Sequence, residues 1–125
     1  MQDFNKLKVA AQARAIILAT YRFTASLPRE EMFGLTSQMR RAAVSIGLNI
    51  AEGCSRGSTR EFIRFLETAR GSGMELDFAI LVTSDLDFGR EGERKALVSE
   101  LMGGQRQLSA LISDLRRRLA AGTRH

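Results

Sequence analysis

Apolar residues recur along this chain at alternating three- and four-residue steps, the interval that lines up one face of a helix. The second of four such stretches places Leu35, Met39, Ala43, Ile46, Ile50 and Gly53 on one stripe. The third does the same with Phe62, Leu66, Ala69, Gly73, Leu76, Ile80 and Thr83, and the fourth with Leu97, Val98, Leu101, Gln105, Leu108, Ile112, Leu115 and Leu119. In the first stretch Leu7, Ala11, Arg14, Ile17, Leu18, Tyr21 and Ala25 trace the candidate core line. The pattern predicts helices over about residues 5–26, 36–52, 59–86 and 91–120.

Between these stretches lie recognisable stops. Pro28 cannot donate to a helix ladder and biases its predecessor away from helix, so the first helix ends there. Thr36 is placed to cap the second helix. The CSRGST run supplies a glycine where that helix must stop, and Ser58 with Glu61 three residues on fits a capping box for the third. Gly89 ends the third helix within DFGREGE. Gly47, Gly71, Gly73, Gly103 and Gly104 fall inside helical stretches, each at a cost of about 1 kcal/mol relative to Ala. Close approach of neighbouring helices is the expected reason, with a bend at Gly103–Gly104.

Four long helices with three short connections predict an all-α, up-down-up-down antiparallel four-helix bundle, with residues 1–125 as one domain. Asn49 is expected to make an interhelical hydrogen bond that sets register, and Glu52 to pair with a nearby cation. The second helix is apolar or small on more than one face, because Ala42, Val44, Leu48 and Ala51 lie off its main stripe. Surplus apolar surface of this kind predicts self-association, with Arg40, Arg41, Val44, Leu48, Asn49 and Glu52 at an interface or in its register.

Charge sharpens the picture. The chain carries +5 with a pI near 10.3, and the antiparallel topology distributes that charge unevenly. Lys6 and Lys8 at the start of the first helix, Arg56, Arg60 and Arg64 at the second elbow, and Arg116, Arg117 and Arg118 near the end of the fourth helix meet at one pole. Glu30, Glu31, Asp85, Asp87, Glu91 and Glu93 gather at the other, relieved by Arg29, Arg40, Arg41, Arg90, Arg94 and Lys95 nearby. Cations at the end of the fourth helix suit its dipole, whereas Arg60 and Arg64 stand where a cation is mildly disfavoured. A surface series Arg60–Arg64–Glu67 would offset part of that.

The run QMRRAAVSIGLNIAEGCSRGSTREFIRFLETARGSGMEL resembles the bacterial four-helix-bundle family of proteins encoded in intervening sequences of 23S ribosomal RNA genes, which includes the accessory protein of diversity-generating retroelements. The likeness rests on Gln38, Arg40, Arg41, Asn49 to Gly53, Arg56, and on Ala69, Gly71, Ser72, Glu75 and Leu76. Tyr21, Thr24, Leu27, Pro28, Glu31 and Phe33 to Leu35 resemble the stretch before that helix. It departs from the pattern at Ala10, where the family has Trp. The resemblance covers roughly residues 7 to 115 and implies the bundle fold and a ring-shaped homopentamer.

The sequence predicts no enzyme. Its one histidine, His125, stands at the chain end, so Ser–His and Cys–His nucleophile systems lack a base. No His/Cys metal cluster or phosphate-loop motif is present, and neither cofactor nor metal is expected. Cys54 beside Arg56 would be a slightly activated thiol or, on the simpler reading, a small hinge residue. A single cysteine fits a reducing cytosol, and no apolar run approaches the roughly 20 residues of a membrane span, so a cytoplasmic protein with no membrane partner is expected.

Two functional readings follow. In the first, the oligomer binds structured RNA or an RNA–DNA hybrid through Arg56, Arg60 and Arg64, assisted by Lys6, Lys8, Arg116 and Arg117. With no aromatic stacking residue expected near these arginines, binding would be phosphate-driven and salt-dependent. In the second, the protein is an interaction adaptor, for instance for a reverse transcriptase, and the basic residues serve docking or solubility.

Overall fold

The computed structural model describes residues 4–122. Four helices run α1 (Phe4–Thr24), α2 (Leu35–Cys54), α3 (Thr59–Asp85) and α4 (Glu91–Ala120), with a single 3-10 turn at Arg29–Glu31 between the first two. Each expected helix is present with ends displaced by no more than two residues. His125 lies outside the described residues.

Each helix packs on its two neighbours in the bundle, and among the described residues the backbones of α1 and α3, and of α2 and α4, do not come close. The four therefore stand at the corners of a square, with α1 diagonal to α3. The core is filled by the predicted stripes of three helices: Met39, Ala43, Ile46 and Ile50 from α2, Leu66, Ala69, Leu76 and Ile80 from α3, and Leu97, Leu101, Leu108 and Ile112 from α4.

Helix α1 is different. Its buried line is Val9, Ala13, Ile16, Ala19, Thr20 and Phe23. The line expected there, Leu7, Ala11, Arg14, Leu18, Tyr21 and Ala25, is solvent-exposed, and only Ile17 is partly buried. Both lines satisfy helical spacing, because α1 is apolar on two faces, and periodicity alone does not say which one meets the core.

Local details also depart from expectation. Thr36 does not cap α2. It is buried inside the first turn, Gly34 occupies the cap position, and the Leu35 amide is satisfied by Glu31 Oε1 at 3.1 Å. Gly57 does not end α2 through a left-handed conformation, because the helix closes at Ser55 with right-handed backbone. Ser58 does cap α3, its hydroxyl accepting from the Glu61 amide at 3.1 Å. Asn49 bonds within its own helix, to Ser45 O at 2.8 Å and Ser45 Oγ at 3.1 Å. The bond between helices belongs instead to Ser45 and Ser72, whose hydroxyls meet at 2.8 Å between α2 and α3. Glycine gives room where helices meet at Gly73, which lies against the Gln105 amide, and at Gly104, where a β-carbon would stand 2.6 Å from Ile16 Cδ1. Gly71 faces open space, and α4 continues as one helix through Gly103 and Gly104.

The two poles are built differently. Where α3 turns into α4, Asp87 and Gly89 take positive φ values of 61° and 85°. Gly89 packs against Phe23 and Leu27 so tightly that a β-carbon would come 2.5 Å from the Phe23 ring, and the Arg90 amide donates to Ser26 Oγ at 2.9 Å. The buried Arg94 guanidinium lies 5.2 Å from the Phe23 ring centroid and donates to the Phe88 carbonyl and to Glu91. At the α2–α3 elbow, residues 54–58 are all exposed, and Gly57 has no neighbour at its open side.

Candidate nucleic-acid interface

The antiparallel arrangement brings together the basic residues that the sequence separates. Lys6 on α1 reaches the elbow, its Nζ 5.0 Å from the centre of the Phe62 ring. Arg116 on α4 pairs with Glu67 on α3. Lys8 of α1 lines one groove with Arg106 and Asp114 of α4. Lys6, Lys8, Arg56, Arg60, Arg64, Arg116, Arg117 and Arg118 therefore occupy one end of the bundle.

Their charge is not equally available. Arg56 is held by Glu52, as expected for Glu52, and Arg117 and Arg118 share Asp114 at 3.5 and 2.9 Å. Arg60 and Arg64 have no carboxylate partner among the described residues. Glu67 does not join them in a surface series, because it is taken by Arg116.

Phe65 is the residue that sequence reasoning missed. It is half-buried, and the Arg56 and Arg64 guanidinium carbons lie 5.0 and 4.9 Å from its ring centroid. The expectation of no aromatic group near these arginines is thus overturned. Its adjacency to Arg64 was a visible signal, whereas the approach of Arg56 requires the elbow to fold back over α3. The ring fixes two guanidinium planes by cation–π attraction, which orients charge that would otherwise sweep through solvent.

Cys54 is exposed at the same elbow. Partial burial pushes its thiol above the ordinary range, and nearby Lys6 offsets only part of that. Of the two readings, the activated thiol is disfavoured, because desolvation of the thiolate outweighs the neighbouring positive charge, and the plain hinge residue stands.

The residues expected at an interface or in its register divide in two. Arg40 fixes α1 against α2, its guanidinium 4.4 Å from the Tyr21 ring centroid and its Nε donating to Thr24 Oγ1 at 2.9 Å. Asn49 and Glu52 are tied within α2 and its elbow. Arg41, Val44 and Leu48 line an open groove beside Tyr21, with Leu48 65% exposed. Among the described residues no group of three His, Cys, Asp or Glu side chains could hold a metal ion, and no helix is long and apolar enough to cross a membrane.

A long antiparallel bundle of four helices defines a class of small all-helical proteins. Within that class the chain belongs to the 23S rRNA-intervening sequence protein family, whose pattern matches residues 5–110. A crystal structure of a protein with unknown function from the S23 ribosomal protein family of Bacteroides thetaiotaomicron has the same fold, with a TM-score of 0.80. It is 18% identical to this chain, and the superposition covers 88% of this chain and 99% of that one. No curated protein matches the sequence.

Proposed function

We propose that this protein is a non-catalytic, self-associating bundle that binds nucleic acid through its basic pole. The observation that supports it most directly is the pair Arg60 and Arg64 in the first two turns of α3. Arg60 stands in the first turn, where cations are mildly disfavoured, and neither arginine has a carboxylate partner among the described residues. The two guanidinium groups oriented on Phe65 suit the phosphates of RNA or of an RNA–DNA hybrid. Such binding reads backbone charge rather than base sequence. Self-association is supported by the exposed apolar side chains of α1, α2 and α3. The homopentamer that the family resemblance implies would repeat the basic pole and raise its avidity.

The test is fluorescence anisotropy of labelled RNA and DNA from about 50 to 200 mM salt, where phosphate-driven binding falls steeply. Replacing Arg56, Arg60 and Arg64 with Gln is expected to flatten the salt dependence with helicity unchanged. No binding at the low-salt end would sink this reading and favour the adaptor, for which the exposed Phe78 beside the α2–α3 groove offers a protein-contacting surface.

A further inference from the structure

The groove between α1 and α4 is a cavity of about 270 Å³ with Val9 and Leu111, both buried, in its floor. Lys8 lines it from α1 and Arg106 from α4. Both side chains are exposed, and neither has a carboxylate partner among the described residues. Asp114 lines the groove as well, but Arg117 and Arg118 hold it at 3.5 and 2.9 Å. It also stands about two turns, or about 12 Å, along α4 from Arg106. Two cations from different helices therefore share one concave site in which the carboxylate is already engaged. A low-dielectric cleft lined by one sign of charge focuses its field and concentrates the opposite ion.

Gln107 lies in the same wall, and its Oε1 is buried with no hydrogen-bond donor among the described residues. Buried acceptors in folded proteins are nearly always satisfied, because an unpaired one has given up its bond to water. A hydroxyl held in the groove supplies that donor once the amide turns toward it. Gln105 Oε1 is unpaired too, but it is pressed against Gly73 between α3 and α4 and faces no such cavity.

These features define the occupant. A guanidinium and an ammonium together match a dianion, whereas a monocarboxylate would answer only one of them. A phosphomonoester carries about −1.5 to −2 charges at neutral pH, with several strong acceptor oxygens. The unspent Gln107 acceptor asks for a hydroxyl beside that phosphate, and the apolar floor for a carbon skeleton. At about 30 Å³ per water, the cavity holds about nine water molecules, which is room for a pentose phosphate and far more than inorganic phosphate fills.

We propose that the α1–α4 groove binds a sugar phosphate, its phosphate between Lys8 and Arg106, a hydroxyl on Gln107 and its ring over Val9 and Leu111. Such a group arrives either free, as a sugar phosphate or mononucleotide, or as the 5′-phosphorylated end of a strand, and its chemistry in the groove is the same. The site uses none of the elbow arginines, so it goes beyond the binding proposed above and stands or falls separately.

Isothermal titration calorimetry of the full chain at low salt tests this with ribose 5-phosphate, ribose and inorganic phosphate. Ribose 5-phosphate is expected to bind about tenfold tighter than either of the other two. Lys8→Gln and Arg106→Gln, both at exposed positions, are each expected to weaken it by about tenfold, with circular dichroism confirming helicity. Gln107→Leu is expected to narrow the preference for ribose 5-phosphate over inorganic phosphate. Absence of ribose 5-phosphate binding, or binding that Lys8→Gln and Arg106→Gln leave unchanged, would overturn the proposal. So would loss of that binding on replacing Arg56, Arg60 and Arg64 with Gln, since the groove is then intact. With ribose 5-phosphate bound, anisotropy of one RNA sequence carrying a 5′-phosphate or a 5′-hydroxyl assigns the source. A preference for the phosphorylated strand that Arg106→Gln abolishes identifies a strand end, and equal binding of the two strands identifies the free sugar phosphate.

Discussion

Gly53 and Phe65 approach so closely that a β-carbon on the glycine would stand 2.9 Å from Phe65 Cβ. The same β-carbon would lie 2.9 Å from Phe62 Cδ1, so the end of α2 is pressed onto the first turns of α3. Phe65 Cβ is tied to the α3 backbone and cannot swing aside. Gly53→Ala gains about 1 kcal/mol in helix propensity but overpacks the elbow by about 1–3 kcal/mol. The expected outcome is a lower urea midpoint with unchanged m-value, the net loss being about 1 kcal/mol. A midpoint at or above wild type would show that the elbow yields without cost.

Arg94 holds the other end. Its guanidinium is buried against Phe23 and donates to the Phe88 carbonyl. Arg94→Ala removes the packing and leaves that carbonyl without its donor, at a cost of about 2–3 kcal/mol. Thermal unfolding is the measure, and a shift of less than about 2 °C would count against the clamp, since about 1 kcal/mol moves a domain of this size by several degrees.

The ion-pair pattern ranks the basic residues. Arg60 has no carboxylate partner among the described residues, whereas Arg117 already faces Asp114. Arg60→Gln is expected to reduce the slope of log affinity against log salt by about 0.7 to 0.9. Arg117→Gln should change it by less than half as much. Equal slopes for both variants would mean that local pairing does not govern which charges meet phosphate.

Cys54 supplies a pH prediction. Its thiol pKa is raised by burial, so the folded chain keeps the proton longer than the unfolded chain does. As pH rises past the free thiol's range, the unfolded state ionises first, and the contribution to folding stability falls. At neutral pH, alkylation of Cys54 by iodoacetamide is expected to be slower than that of an unstructured cysteine peptide, with the gap narrowing as pH climbs. Faster alkylation than the peptide would reverse the sign of the electrostatic argument.

Legibility in the sequence followed the number of apolar faces per helix. On α3 and α4 one stripe dominates, and Phe62 to Thr83 and Leu97 to Leu115 entered the core as their spacing indicated. On α1 two stripes compete, and Ile16 and Phe23 won the core from Leu18 and Tyr21. The choice depends on what faces the helix from α2 and α4, which local periodicity does not encode. The basic pole was legible because alternating helix direction brings chain-distant segments to one end. Phe65 between two guanidinium groups was not, because Arg56 reaches it only after the elbow turns. Asn49 showed the same limit: a polar residue in an apolar helix signals a hydrogen bond, but Ser45 one turn earlier satisfied it within α2.

The unequal construction of the two poles has a dynamic consequence. Around Gly89 the backbone is pinned by Phe23, Ser26 and Arg94, while the 54–58 elbow is exposed and Gly57 is uncrowded. Amide hydrogen exchange should therefore be fast at residues 55–57 and slow at 88–90, and added RNA should slow only the elbow. The end of the molecule that gathers its arginines is thus also the end where the connection is least packed, the place where the chain can change its path without unpacking the core.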